Sequence, residues 1–404
     1  MVSTEGYHLR INLRSMNGNR EYLCREVEKL AEALKDIYTL EFLVEFSRKV
    51  KSVYPNFQED QFITSIMDET WDGLALKARM RRISERLGDY LPNNYEAALE
   101  VLFAISDDCS GFPYLFFPDF VAVYGREDKH WELSMKALEN FTQKSSSEFA
   151  IRPFLLQDPE RVMKYMMGWA RNTNEHVRRF ASEGCRPRLP WGEALPMFKK
   201  DPTPVLAVLE LLKEDPSLYV RKSVANNLND IGKDHAALVL ETARRWSGRN
   251  PGTDWIIRHG CRTLIRNADP DALEIFGYAR EMLLATRATI LAQPSVLSIG
   301  DQCELQYSIE VRQGEPVHLR IEYGIDFVKA KGRISRKLFL LSDKTVSGGA
   351  HLTGKRLHIW ADLTTRRHYP GDHRLILLVN GQEVAHTVIE LQAQPGQGNQ
   401  DKEG

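Results

Sequence analysis

A short pattern, an aliphatic residue followed by arginine, recurs in the middle of this 404-residue chain. It occurs at Val177-Arg178, Val220-Arg221 and Ile257-Arg258, in the segments TNEHVRRFA, SLYVRKSVA and TDWIIRHGC. The copies are 43 and 37 residues apart, and such intervals are typical of proteins built from repeated helix pairs. Because a repeat of this kind buries its apolar side only against its neighbours, the spacing predicts stacked helical hairpins.

Apolar residues recur at helical spacing from about residue 20 to residue 290, which predicts a HEAT-like α-solenoid over that range. A similar pair, Ile151-Arg152, lies only 26 residues before the first clear copy, so it is either a degenerate repeat or an accidental match. Polar residues that can cap a helix precede the three clear copies, at Asn174, Ser217 and Asp254. Residues that end a helix follow at Gly184, Gly232 and Pro270.

The pattern changes near Ala292, where short β-rich runs separated by turn residues begin. Asn380-Gly381 lies between two such runs and predicts a tight hairpin, because both central residues of the favoured turn have positive φ. About 100 residues with six or seven strands predict an immunoglobulin-like β-sandwich over 293–393. The expected fold is therefore multidomain, α then β. Residues 394–404 contain almost nothing apolar, and we expect a disordered tail there.

Composition excludes several classes of protein. Hydrophobic residues make up 43% and charged residues 27% of the chain, as in ordinary globular proteins. No apolar run approaches the roughly 20 residues of a membrane helix, and the amino-terminal sequence lacks a secretory signal, so we expect a cytoplasmic protein. The five cysteines form no Cys-x-x-Cys pair, which argues against a zinc ribbon or an iron–sulfur cluster; they are Cys24, Cys109, Cys185, Cys261 and Cys303.

Positive charge is concentrated in one segment. Between Lys329 and Arg374 there are eleven Lys or Arg against three Asp, a net charge of +8, whereas the whole chain carries −1. The segment predicts contact with DNA phosphates. The alternative is that these side chains protect exposed strands from pairing with other sheets. The candidate DNA-binding residues here are Lys329, Lys331, Arg333, Arg336 and Lys337.

Three acidic residues, Glu148, Glu183 and Asp230, lie in polar or basic segments of separate predicted helices. The generic motifs of nucleotide-binding loops, zinc peptidases and serine hydrolases are missing from the sequence, so chemistry must come from a constellation such as this one. Arg179 and Arg186 are spaced to pair with Glu183, and Arg152 with Glu148. Each acid is then either a functional group or an ordinary ion-paired helix face.

On a helical wheel, Asp230 lies with Lys222 and Asn226 beside an apolar stripe, so it is predicted to face a groove. The stripe consists of Val220, Val224 and Ile231. The arginines around Glu183, followed by Trp191, suit phosphate binding with ring stacking. Alternatively, the arginines of the repeated pattern brace neighbouring repeats, and Trp191 belongs to the core.

Together, SSEFAIRPFL, VRRFASEGCRPRLPW, DPSLYVRKSVANNLNDIGKDH and WIIRHGCRTL resemble the AlkC branch of the bacterial HEAT-like DNA alkylation-repair glycosylases. The match spans most of residues 40–285. The segments YGIDFVKAKG and HYPGDHRLILLVNG resemble the immunoglobulin-like domain carried by one subgroup of that branch. The resemblance therefore covers nearly the whole chain.

The resemblance implies a monofunctional glycosylase that releases cationic bases such as 3-methyladenine and 3-methylcytosine from duplex DNA without base flipping. Matching motifs make Glu148, Glu183 and Asp230 the catalytic acids. The residues expected against the nucleotide and its backbone are Arg152, Arg179, Arg186 and Trp191. No metal or other cofactor, no membrane and no obligate protein partner is implied. We expect a monomer whose helical repeats and basic β-sandwich both grip the DNA.

The chemistry fits this assignment because an N3-methylated purine is already cationic and leaves without a strong general acid, unlike an ordinary glycoside. The sugar becomes an oxocarbenium-like cation, which carboxylates stabilise while one of them positions or deprotonates water. No lysine nucleophile is required, and strand cleavage is not expected. The alternative is a non-catalytic HEAT and immunoglobulin-like scaffold that binds DNA or protein.

Overall fold

The computed structural model describes residues 35–279, 284–329, 332–362 and 367–393. These residues divide into two compact units, a helical unit that ends at Arg262 and a carboxyl-terminal unit that begins at Thr263. The predicted start of the solenoid at residue 20 and the predicted tail at 394–404 lie outside the described residues. Within the described part of the chain, no helix is both long and apolar enough to cross a membrane.

Sixteen α-helices lie in the described residues. In chain order they are α1 (Leu40–Val53), α2 (Glu59–Ile66), α3 (Leu76–Tyr90), α4 (Tyr95–Ile105), α5 (Phe116–Tyr124), α6 (Trp131–Thr142), α7 (Arg152–Gln157), α8 (Pro159–Trp169), α9 (Glu175–Gly184), α10 (Pro196–Lys200), α11 (Thr203–Leu212), α12 (Leu218–Ile231), α13 (Ala236–Trp246), α14 (Pro251–Gly260), α15 (Arg262–Arg266) and α16 (Pro270–Ile275). The division between the two units therefore falls within α15.

The three copies of the sequence pattern lie on α9, α12 and α14. Helix α9 packs against α12, and α12 packs against α14. The aliphatic residues of the pattern, Val177, Val220 and Ile257, are all buried, because this side of each helix faces its neighbours. The predicted stack of repeated helices is confirmed.

Two of the three predicted helix caps are confirmed. The side chains of Asn174 and Ser217 accept hydrogen bonds from backbone N–H groups in the first turns of α9 and α12. The third prediction, Asp254, is wrong because α14 begins earlier, with Pro251 in a position that needs no N–H donor. Asn250 caps this helix by accepting from the Thr253 N–H at 2.9 Å, while Asp254 accepts from the Gly248 N–H.

The carboxyl-terminal unit is a sandwich of two sheets. Its strands are β1 (Ala285–Gln293), β2 (Val296–Ser298), β3 (Gln302–Val311), β4 (Val317–Val328), β5 (Ile334–Val346), β6 (His351–Ile359), β7 (Gly371–Val379) and β8 (Gln382–Gln392). One sheet has the order β1-β3-β6 and the other β2-β8-β7-β4-β5. All neighbouring strands are antiparallel except β2 and β8.

Alternating side chains of both sheets fill the space between them, including Leu305, Ile325 and Leu375, as expected for a β-sandwich. Trp360, which follows β6, belongs to the same core. The structure has eight strands rather than six or seven, since β1 precedes the predicted boundary. The Asn380-Gly381 hairpin between β7 and β8 is confirmed, with φ values of 48° and 78°.

The segment after α16 is held to this sandwich by side-chain hydrogen bonds. The Tyr278 hydroxyl donates to the Asp343 carboxylate at 2.9 Å, and Asn380 Nδ2 donates to the Ala279 carbonyl at 3.0 Å. Residues 263–279 therefore belong with the strands, which corrects the predicted end of the helical repeats at residue 290.

Candidate active site

Glu148 lies in a turn before α7, rather than on a helix as predicted. Its Oε2 accepts a hydrogen bond from Ser146 Oγ at 2.9 Å and forms an ion pair with Arg179 Nη1 at 2.6 Å. The predicted pair between Glu148 and Arg152 is wrong, because the turn directs the carboxylate toward α9.

Arg179, on α9, joins two of the three candidate acids. Besides its contact with Glu148, its Nη2 lies 3.8 Å from Glu183 Oε1. The guanidinium also lies over the ring of Tyr219, 4.9 Å from the ring centre. The predicted pairing of Arg179 with Glu183 is confirmed.

Arg186, just after α9, makes the second connection. Its Nη1 donates to Glu183 Oε1 at 2.5 Å, which confirms the predicted pair. Its Nε and Nη2 both donate to Asp230 Oδ2, at 2.9 and 2.7 Å. Glu148, Arg179, Glu183, Arg186 and Asp230 therefore form a continuous series of ion pairs, called here the carboxylate–arginine chain.

Further side chains orient the acids of this chain. Ser223, on α12, donates to Glu183 Oε2, and Lys233 donates to Asp230 Oδ1 at 2.6 Å. The roles of Ser223, Lys233 and Tyr219 are not evident from the sequence motifs. Tyr219 carried a local signal, since it lies one residue before the repeated pair, where the previous repeat has His176. Ser223 carried no such signal, because its contact spans 40 residues.

The acids lie at different depths. The exposed fraction of the side chain is 14% for Glu148, 7% for Glu183 and 3% for Asp230. They are therefore not solvated helix faces. They are ion-paired, as one alternative held, but the pairs join three separate segments of the chain. The Asp230 carboxylate is directed at Arg186 and Lys233.

The surroundings of Glu183 keep its carboxylate ionised. Burial raises the pKa of this group, but the charges of Arg186 and Arg179 and the Ser223 hydrogen bond outweigh that effect, so the pKa lies below its usual range. Burial likewise disfavours the charged form of Arg179, yet Glu148 and Glu183 raise its pKa. Glu183 is thus an anion at neutral pH and does not donate a proton.

Trp191 lies in the loop between α9 and α10, and its side chain is not part of the core. The residue is 37% exposed and has φ of 60°, a left-handed conformation that costs a bulky residue free energy. Lys77 Nζ donates to the Trp191 carbonyl at 2.8 Å. The loop therefore presents the indole to solvent from a fixed backbone.

Arg152 supports the same loop from inside. It is 1% exposed, and its guanidinium donates to the carbonyls of Gly184, Arg186 and Glu193. A side chain that is enclosed and saturated in this way is not available to DNA. We therefore assign Arg152 to holding the Trp191 loop, which corrects the DNA contact expected from the sequence.

Some basic residues of the sandwich lie between strands β4 and β5, and others lie on strand β5. Lys329 and Arg333 flank the turn between β4 and β5, where Lys329 N–H donates to the Arg333 carbonyl. Arg336 forms a two-pronged ion pair with Asp326, at 2.7 Å for each bond, and this hydrogen bonding lowers the pKa of Asp326. Lys337 follows on β5, an edge strand. Lys331 lies outside the described residues.

In the part of the chain that the structure describes, His, Cys, Asp and Glu side chains form no group of three or more that could hold a metal ion. The two units have the features of a helical-repeat protein with an appended immunoglobulin-like sandwich, and with buried acids joined by arginines in the repeats.

Residues 286–393 match the family model "Uncharacterised protein YhaZ, C-terminal Ig-like domain". The Bacillus subtilis (strain 168) protein "Uncharacterized protein YhaZ" is 45% identical over 349 residues, which cover 86% of this chain and 96% of that protein. The solved structure of the Pseudomonas fluorescens alkylpurine DNA glycosylase AlkC, bound to DNA with an abasic site analogue, is 40% identical with a TM-score of 0.83. That match covers 89% of this chain and 99% of the other.

The matches to the Bacillus subtilis protein and to AlkC cover 86% and 89% of this chain and so extend over both units. The chain belongs to the AlkC family of helical-repeat DNA glycosylases, in the form that carries a carboxyl-terminal immunoglobulin-like domain. The resemblance seen in the sequence is thereby confirmed, and so is the predicted fold class.

Proposed function

We propose that this chain is a monofunctional DNA glycosylase that hydrolyses the N-glycosidic bond of cationic alkylated bases in duplex DNA. The substrates are bases such as 3-methyladenine and 3-methylcytosine, and the damaged nucleotide stays in the helix. The observation that carries the proposal is the carboxylate of Glu183, which is buried yet held ionised between two arginines. The related AlkC, an alkylpurine DNA glycosylase bound to abasic-site DNA, supports the same reaction class.

An ionised carboxylate suits a leaving group that is already cationic. Such a base departs without receiving a proton, so a high-pKa general acid is unnecessary. The sugar left behind develops positive charge, and a preorganised anion stabilises that charge most effectively where water is largely excluded. The low pKa of Glu183 is therefore an asset for this reaction, whereas ordinary glycoside hydrolysis requires a carboxyl group with a raised pKa.

The three acids have different roles according to how deeply each is buried. Glu148, the most exposed of them, positions the attacking water and takes its proton. Glu183 and Asp230 supply fixed negative charge below the sugar, and Arg179 and Arg186 hold the carboxylates apart in defined directions. Arg179 and Arg186 have a second role, in which they lie against the DNA backbone.

DNA contacts come from both units. Trp191 stacks against the damaged nucleotide from its exposed loop. Lys329 and Arg333, which lie between β4 and β5, bind backbone phosphates, and so do Lys331, Arg336 and Lys337. A single copy of the chain acts in the bacterial cytoplasm, without a metal or other cofactor. This arrangement predicts salt-sensitive binding.

The test is base release from DNA treated with a simple methylating agent. The purified chain is incubated with this DNA in the presence of a chelator, and released bases are identified by chromatography and mass spectrometry. We expect 3-methyladenine release, slowed about 10²–10³-fold in Glu148→Gln, Glu183→Gln or Asp230→Asn because each removes a charge contact to the transition state. DNA binding by the variants is measured separately and is expected to persist.

Glu241→Gln is the matched control, since this exposed glutamate on α13 lies outside the carboxylate–arginine chain. It should release bases at the parent rate. Failure of the folded, DNA-binding parent to exceed spontaneous release would favour the non-catalytic scaffold and leave the three acids with a structural role only.

A further inference from the structure

A second aromatic group is exposed on the helical unit. Trp255, on α14, is 36% exposed. Its ring stacks on the imidazole of His259, one turn later, with ring centres 4.9 Å apart and planes inclined by 10°. Such a pair stabilises a helix modestly, and 36% of the surface of Trp255 remains exposed beside it.

This pair adjoins the carboxylate–arginine chain through α12. Arg262, one turn beyond His259, donates to the His259 carbonyl at 2.7 Å and to Asn226 Oδ1 at 3.1 Å. Asn226 lies four residues before Asp230, so the two side chains occupy neighbouring turns on one side of α12. Arg262 is therefore bonded to α12 one turn before Asp230.

The electrostatic surroundings of the pair are positive. Burial lowers the pKa of His259, and the nearby charges of Arg262 and Lys222 lower it further, to about 4. His259 is therefore neutral at pH 7, and the field around it comes from the two cations. Lys222 is exposed on α12 and, among the described residues, has no carboxylate within ion-pair distance. This differs from Arg179 and Arg186, whose charges are balanced by the acids they contact.

We propose that Trp255, His259, Lys222 and Arg262 form a subsite for a nucleotide flanking the damaged one. Trp255 stacks on that nucleotide's base, and Lys222 and Arg262 contact its phosphate. The inference rests on the proposed function and extends it, because it assigns substrate contacts to a repeat beyond the three acids. Its chemistry is that of aromatic rings interleaved with cations, which bind nucleic acid through stacking and phosphate attraction.

The subsite has a mechanical consequence for catalysis. Trp255 holds the flanking base, and the exposed indole of Trp191 contacts the damaged nucleotide. The DNA strand is therefore held at two separate points. The Trp255 contact lies beside the reacting nucleotide, so it is made equally in the bound substrate and in the transition state. The Trp255 contact should therefore act on binding and leave the chemical step at saturation nearly unchanged.

The experiment uses the full chain and duplex DNA with a tetrahydrofuran abasic analogue, and binding is measured by fluorescence anisotropy over a range of salt concentrations. We expect Trp255→Ala to raise Kd about tenfold with an unchanged salt slope, since stacking contributes little charge. Lys222→Gln should raise Kd and reduce the slope of log K against log salt by about 1. Lys164→Gln, at an exposed lysine on α8, is the control and should change neither.

A second set of probes identifies the stacked base. The base on each side of the analogue is replaced in turn by an abasic spacer. At one flanking position the spacer should abolish the difference between the parent and Trp255→Ala, and Trp255→Phe should restore most of the affinity with the intact probe. The Kd values for the intact probe and for the probe with the spacer are compared for each folded protein separately. The comparison therefore also holds if Trp255→Ala is less stable.

Equal affinity of the parent and Trp255→Ala on every probe would overturn the subsite, and so would a loss that persists with every spacer. Base release by the same preparations separates the two hypotheses. A parent that releases 3-methyladenine while Trp255→Ala and Lys222→Gln bind normally refutes the subsite alone. A parent that releases no base refutes the proposed function, whatever its affinity for the probes.

Discussion

Arg178 and Arg221 occupy equivalent positions in successive repeats and make equivalent bonds. Arg178 Nη1 donates to the carbonyls of Thr173 and Asn172, at 2.8 and 3.0 Å. Arg221 Nη1 donates to those of Pro216 and Asp215, at 2.7 and 2.9 Å. Each arginine thus reaches back five and six residues and closes the loop that precedes its own helix.

These bonds predict that the repeated arginines stabilise the fold and do not bind DNA. Arg221→Met should lower the free energy of unfolding by about 1.5–3 kcal/mol, because two carbonyls lose a charged donor. The salt slope of DNA binding should stay at the parent value. Urea unfolding and anisotropy measure the two quantities, with Arg171→Met as the comparison, since the exposed Arg171 side chain donates to the Met167 carbonyl just four residues earlier. A reduced salt slope for Arg221→Met would contradict the bracing role.

Loss of Arg152 should disturb the Trp191 loop. Arg152→Met leaves the carbonyls of Gly184, Arg186 and Glu193 without their donor, so we expect a destabilisation of about 3 kcal/mol. Base release should fall with it, since the strained backbone of Trp191 is no longer supported. Denaturation and single-turnover kinetics at a temperature where the variant is folded measure these effects. Unchanged kinetics would show that the loop keeps its conformation without Arg152.

The hairpin at Gly381 allows a matched test of packing within the sandwich unit. A Cβ at Gly381 would lie 2.1 Å from Ala268 Cβ, whereas one at Gly332 would meet nothing within 4 Å. Both glycines have positive φ, 78° and 72°, so alanine costs backbone strain at each. Gly381→Ala should therefore lower the melting temperature more than Gly332→Ala, with an extra overpacking cost of about 1–3 kcal/mol. Equal shifts would mean that α15 and the following turn yield freely.

His259 predicts a pH dependence of stability. Its pKa is about 4 in the folded chain and about 6.5 when unfolded, so the unfolded chain binds a proton first as pH falls. The stabilisation is therefore complete above pH 6.5 and is lost progressively toward pH 4. Urea unfolding at pH 7 and pH 5 should show a smaller difference in His259→Gln than in the parent. An identical pH difference in both proteins would contradict the neutral state of His259 in the folded chain.

The basic residues of the sandwich should differ in their effects on DNA affinity. Lys329→Gln and Arg333→Gln should each weaken binding and reduce the salt slope by about 1, provided each contacts one phosphate. Arg336→Gln should reduce the slope less, because its guanidinium is already bound to Asp326. Anisotropy titrations on one duplex compare the three variants. Equal slopes for all three would show that DNA displaces Asp326.

What was predictable from the sequence is local. The pairs of Glu183 with Arg179 and Arg186 follow from spacings of four and three residues, and the Asn380-Gly381 turn follows from backbone preference. The contact of Arg186 with Asp230 joins residues 44 apart, and no local pattern encodes it. The prediction of a helix at Glu148 is wrong, because the turn there depends on the Ser146 hydrogen bond and on the distant Arg179.

Strand β1 was missed for a related reason. Its sequence, ATRATILAQ, contains three alanines and one each of arginine, leucine and glutamine, all of which favour helices. Only Ile290 and Ala292 on this strand are buried, so alternation is weak. The strand forms because its backbone pairs with β3 over most of its length, and tertiary pairing of this kind outweighs local preference.

The division within α15 decides where the chain can be cut. A fragment ending near Ala292, where the sequence pattern changes, would retain Tyr278 and Ala279 without Asp343 and Asn380, to which they are bonded. It would also carry β1 without its partner strand, an open edge that invites aggregation. A recombinant fragment of the repeats should therefore stop at Arg262, so that poor solubility of a longer one is not mistaken for a need for the sandwich in DNA binding.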